Sequence, residues 1–211
     1  MGAEFSFLLG TLLLLLLAAP FFQEHRLGNL IFDGLLTLVL LSGVATVSER
    51  RFPMAIGLTL ALPVIAARWL AYFAPNRLIE LIGMVCALAF LAYVAVIILA
   101  HIMHQRDITR DLVVGSLCVY LLLGLSWAFA FELLENLRPG SFRWPAAERV
   151  HPFFDMIYYS LVTLTTVGYG DIAPLSAVAR SLSMVEAVIG QFYLTVLVAR
   201  LVGLRITQQG R

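Results

Sequence analysis

Apolar residues run along this chain in stretches of about twenty, the length needed for a helix to cross a bilayer, and polar residues gather between them. Six such stretches fall at roughly 5–22, 28–47, 53–74, 77–100, 111–135 and 175–204. A seventh, 152–164, is too short to span and reads as a re-entrant helix. Non-helical backbone at membrane depth is tolerated only where protein covers it or it lines water, so the segment after 164 must lie in such a place. The first stretch lacks a positive start and carries Glu4, so it reads as a span and not as a cleaved leader.

Composition supports the membrane reading independently. The chain is 61% hydrophobic and 13% charged, against about 25% charged in a soluble domain. All 14 basic residues are arginine, and the net charge of +1 gives no reason to expect a nucleic-acid partner. Cys86 and Cys118 lie inside apolar stretches at no metal-binding or redox spacing.

Between the re-entrant helix and the last stretch stands Thr165-Thr166-Val167-Gly168-Tyr169-Gly170-Asp171. In an ordinary strand successive carbonyls alternate in direction. Glycine at every second position makes positive φ cheap there, which lets carbonyls of neighbouring residues face one way. Four such strands about an axis would stack rings of oxygen from Thr166, Val167, Gly168 and Tyr169, with the Thr166 hydroxyl below. Val167 and Tyr169 would point away from the axis.

This string resembles the selectivity filter of tetrameric potassium channels, and Phe154–Asp171 as a whole resembles their pore helix and filter. The resemblance covers about 111–205. It implies an all-α membrane protein of six transmembrane helices, a pore helix and a filter loop, assembled as a homotetramer. It also implies K⁺ as the permeant ion, bound by backbone carbonyls of Thr166, Val167, Gly168 and Tyr169, with no cofactor and no bond-breaking chemistry. Tyr158 and Tyr159 occupy the family's aromatic-cuff positions, and Tyr158 is in reach of Asp171. Where many relatives carry a carboxylate behind the filter, this chain has Val162. Gly190 falls at the family's gating hinge. The last stretch resembles the inner helix, on which Gln191, Leu194, Val198 and Val202 share a face expected to line the cavity. Glu186, an ionisable residue inside that helix, is a functional candidate, either behind the filter or bonded to the pore helix.

The pore helix begins at His151-Pro152, where proline suits the first helical position and Asp155 the first turn. Its C-terminus would favour a cation in the cavity below the filter. Because the filter mouth faces outward in the family, both termini are expected in the cytoplasm of a multi-pass protein of the plasma (inner) membrane. Arginine placement supports this only partly. Arg50, Arg51, Arg106, Arg110, Arg205 and Arg211 would lie inside, and Arg26, Arg77, Arg138, Arg143 and Arg149 outside. The outer loop 136–150, with Glu148 among its arginines, forms the turret.

Voltage sensors carry repeated cations on the fourth helix. Here Arg77 and Glu80 open that helix and its body is uncharged, so voltage gating is not expected. Asp33, Arg68 and Glu80 fall at one level of alternating helices. They are expected to form an ion cluster locking the bundle; a pH- or ligand-responsive element is the alternative. His101 and His104 share a helical face in a short polar link, which favours each bundle packing beside its own pore quarter. About seven residues follow the inner helix, so no soluble regulatory domain is expected, and no nucleotide-binding fingerprint or calcium loop occurs. The chain thus divides into a four-helix bundle, 1–105, and a pore domain, 106–211. The expected function is passive, potassium-selective conduction through a membrane homotetramer in contact with lipid. A weakly selective cation channel and a non-conducting subunit with a channel-like loop are the alternatives.

Overall fold

The computed structural model describes residues 2–22, 28–46, 51–74, 76–105, 107–145 and 152–209. Arg26, Arg50, Arg106, Glu148, Arg149, His151 and Arg211 lie outside these. Among the described residues the fold is helical, as expected from the apolar runs. In chain order come α1 (Gly2–Phe22), α2 (Gly28–Thr46), α3 (Arg51–Leu70), α4 (Arg77–His104) and α5 (Arg110–Leu137), then β1 (Phe142–Arg143), α6 (Pro152–Leu164), β2 (Ala173–Pro174) and α7 (Ala177–Gln209). Among the described residues four helices are long and apolar enough to cross a membrane, through Pro53–Leu70, Arg77–His104, Arg110–Leu137 and Ala177–Ile206. Glu4–Ala18, Leu30–Thr46 and Phe153–Leu164 are shorter apolar helices.

Local chemistry explains where the elements stop. The Asn76 side chain accepts from the Leu78 N–H and caps α4, and Thr109 does the same for α5 through Leu112. The third apolar stretch was expected to run to 74, but α3 ends at Leu70. Ala71–Ala74 form a turn, with Phe73 and Ala74 both donating to the Leu70 carbonyl. Pro75 follows and disfavours helical backbone in the residue before it. α7 starts two residues later than expected: Ala173–Pro174 pair antiparallel with Phe142–Arg143, and the N–H groups of Leu175 and Ser176 both donate to the Ser141 carbonyl. Two-residue strands carry no readable period, so this clip was not anticipated.

α5 is the organising helix. It packs against α1, α4 and α6, and less extensively against α7, while α4 also covers α3 and α1 covers α2. The first helices therefore sit beside the α5 of their own chain. Phe90, Leu91, Val94, Phe129 and Phe131 are fully buried in the resulting core. The share of residues buried is 61% for the span in α5 but 6% for the span in α7, so α7 presents most of its surface outside the chain.

Candidate ion-conducting site

α6 ends where β-branched Thr165 and Thr166 meet the glycine-bearing loop. The chain then reverses beneath its own helix. The Thr166 N–H donates to the Thr163 carbonyl at 2.9 Å, and those of Val167 and Gly168 both donate to the Val162 carbonyl at 3.0 and 3.3 Å. Carbonyls that a helix C-terminus leaves open are thus filled by the first amides of the loop. Left-handed φ values alternate along it, 60° at Thr166, 59° at Gly168 and 78° at Gly170. The two glycines adopt such backbone freely. Thr166 does not, and its strained φ was missed because a β-branched residue gives no sequence sign of it.

The aromatic pair braces this loop from two sides. The Tyr158 hydroxyl donates to Asp171 Oδ2 at 2.8 Å, and its ring stacks on Tyr169 with centroids 6.5 Å apart. Tyr159 is buried and its hydroxyl lies 2.6 Å from that of Ser183 on α7. Glu186, with no exposed surface, bonds the pore helix: its Oε1 lies 2.5 Å from Ser160 Oγ, which is 2.6 Å from the Gly124 carbonyl of α5. Three helices therefore meet at one serine hydroxyl.

Gly190 lies in unbroken helix, and a Cβ there would overlap the Leu164 carbonyl oxygen at the end of α6. Tyr120 donates to the same carbonyl at 3.2 Å. Gln191 Nε2 is 3.5 Å from the Thr166 hydroxyl. Leu194, Val198 and Val202 are exposed on α7.

Several contacts were not foreseen. The Glu135 carboxylate accepts from the N–H groups of Gly140, Ser141 and Phe142 at 2.9–3.3 Å and pins the turn after α5. Arg143 Nη2 lies 3.5 Å from the Gly170 carbonyl. Arg200 Nη2 donates to the carbonyls of Ile102, Met103 and Gln105 at 2.8–2.9 Å, tying α7 to the end of α4. Arg200 is the one charge between Glu186 and Arg205, which was the available signal. Of the expected ion cluster, Arg68 and Asp33 approach to 3.6 Å. Glu80 lines the same cavity but makes no ion pair among the described residues, and Glu132 of α5 joins it unanticipated.

The α5-to-α7 segment is similar to ion channels: the family model described as "Ion channel" matches residues 117–205. Its curated relatives are potassium channels. "Two pore potassium channel c" of Oryza sativa subsp. japonica is 34% identical over 86 residues, 41% of this chain and 17% of the relative. "Two-pore potassium channel 3" of Arabidopsis thaliana is 35% identical over 112 residues, 49% of this chain and 23% of the relative. "Inward rectifier potassium channel Kirbac3.1" of Paramagnetospirillum magnetotacticum is 32% identical over 94 residues, 43% of this chain and 28% of the relative. The matched stretch thus spans less than a third of each of these relatives. No solved structure matches the chain at the same stringency.

Proposed function

We propose that the chain is a potassium-selective channel subunit that conducts K⁺ passively as a homotetramer. The carrying observation is the alternation of left-handed φ at Thr166, Gly168 and Gly170 within the TTVGYGD string. That alternation suits a strand whose carbonyls replace an ion's hydration shell. Four copies would place Thr166, Val167, Gly168 and Tyr169 carbonyls in successive rings, and ions would hop between adjacent rings. The reading is supported by what one chain leaves open. Val167 is 53% and Tyr169 72% exposed, and the apolar surface of α7 has little cover within the chain.

In this reading α1–α5 and α7 cross the plasma membrane with both termini inside. Residues 1–105 form a bundle without voltage-sensor charges, and 106–211 form the pore. Gly190, Gln191, Leu194 and Val198 flank the cavity below the filter, where four α6 C-termini would favour a cation. Glu186, Tyr158 and Tyr159 brace the filter from behind.

Purified protein in liposomes tests this through ion flux. K⁺ flux well above Na⁺ flux, independent of voltage and abolished by Gly168→Ala, is expected. Equal Na⁺ flux, or flux unchanged by that substitution, overturns the selective-pore reading.

A further inference from the structure

A cavity of about 430 Å³ opens between α2, α3, α4, α5 and the start of α6. That volume lies within the range of small-molecule sites. Its ionisable lining is three carboxylates, Asp33, Glu80 and Glu132, and one guanidinium, Arg68. Arg68 is matched in part, its Nη2 being buried with no hydrogen-bond partner. Its Nε lies 3.6 Å from Asp33 Oδ1, and its guanidinium stands 4.8 Å from the Phe153 ring centroid and 5.9 Å from that of Phe129. The other Asp33 oxygen accepts from the Tyr72 hydroxyl at 2.7 Å. Asp33 therefore has both oxygens engaged, and its charge is spent on Arg68.

Neither Glu80 nor Glu132 pairs with an arginine among the described residues, and Glu132 Oε2 is shut away from solvent with no hydrogen-bond partner. Arg77, one turn before Glu80, instead reaches the Asn136 carbonyl at 3.0 Å. Carboxylates without a direct ion pair in an apolar bundle are costly. The facing walls are aromatic, from Phe32, Phe129, Phe153 and Phe154. No group of three His, Cys, Asp or Glu among the described residues is close enough to hold a metal ion.

We propose that this cavity binds a small amphipathic amine, its ammonium group between Glu80 and Glu132 and its apolar body against the phenylalanines. Carboxylates supply the charge, and Phe32 and Phe154, which Arg68 does not cover, supply apolar contact. The cavity reaches the start of α6, so its occupancy is read directly as binding and not through conduction.

Isothermal titration of the full chain in detergent with phenethylamine, its uncharged analogue 2-phenylethanol and its anionic analogue phenylacetate tests the proposal. Saturable binding of the amine is expected, with the alcohol at least tenfold weaker and phenylacetate silent. Glu132→Gln and Glu80→Gln should each weaken the amine about tenfold, as for a lost charge-assisted contact. Equal binding of the alcohol would reduce the site to an apolar void, and preference for phenylacetate would make Arg68 the recognition group. Amine binding that survives both substitutions lies elsewhere, and absence of binding removes the site; each of these results overturns the proposal. Should Glu132→Gln fail to fold, Glu80→Gln and the comparison of the three probes on the parent protein still decide it.

Discussion

Replacing Gly190 by alanine adds one methyl group where α7 already touches the end of α6. Two effects oppose each other. Alanine in a helix interior is favoured over glycine by about 0.8–1.0 kcal/mol. Against this, the new Cβ would overlap the Leu164 carbonyl oxygen. That obstacle is backbone and cannot rotate aside. Overpacking costs about 1–3 kcal/mol, so the balance is a loss of up to about 2 kcal/mol per chain. At roughly 2–4 °C per kcal/mol for a chain of this size, the melting temperature falls by up to about 8 °C. Leu164 precedes Thr165 directly, so the same push reaches the filter and K⁺ flux should fall with it. Gly10→Ala is the control: it lies within α1, and a Cβ there meets nothing within 4 Å. It should gain about 1 kcal/mol and raise the melting temperature by roughly 2–4 °C. Thermal unfolding of purified protein in one detergent, paired with liposome flux, reads both. A Gly190→Ala protein that melts at or above its parent with unchanged flux would refute the argument from close approach.

Tyr158→Phe removes the 2.8 Å donor to Asp171; a loss of about 1 kcal/mol corresponds to roughly a fivefold shift away from the braced filter, visible as lower steady-state K⁺ flux with little change in melting. Glu135→Gln replaces a two-oxygen acceptor of three backbone amides by a single carbonyl, and should speed hydrogen exchange at Gly140–Phe142 by about tenfold or more; unchanged exchange there would show that the staple is idle. Arg200→Ala frees the carbonyls of Ile102, Met103 and Gln105 and should lower the melting temperature by several degrees. Arg200→Lys should restore only part of it, since an ammonium lacks the guanidinium fork.

Helix positions were legible because spanning length and apolar run length are one quantity here, and because Pro152 marks the start of α6 by simple chemistry. The positive φ of Gly168 and Gly170 was legible from their spacing. Other features were hidden for identifiable reasons. Thr166 adopts φ of 60° where the loop folds back onto Val162 and Thr163, local hydrogen bonds that override the preference of a β-branched residue. Glu132 and Glu135 are three residues apart on one helix, yet one faces the cavity and the other the turn after α5. Deciding between them needs the neighbours of α5, which sequence periodicity does not contain. The pairing of Asp33 with Arg68 was readable from alternating helix direction, whereas the separation of Glu80 from that pair depends on side-chain reach.

The Arg200 bonds make α7 a lever. Ten residues separate Arg200 from the Gly190 contact, about 15 Å of helix at 1.5 Å per residue. A tilt of α7 by 10° about that contact would carry the guanidinium sideways by about 2.6 Å. Three hydrogen bonds of 2.8–2.9 Å cannot stretch so far. Either they break together or the end of α4 travels with the helix. Small rotations at the filter end thus become displacements of ångström size where α4 hands over to α5.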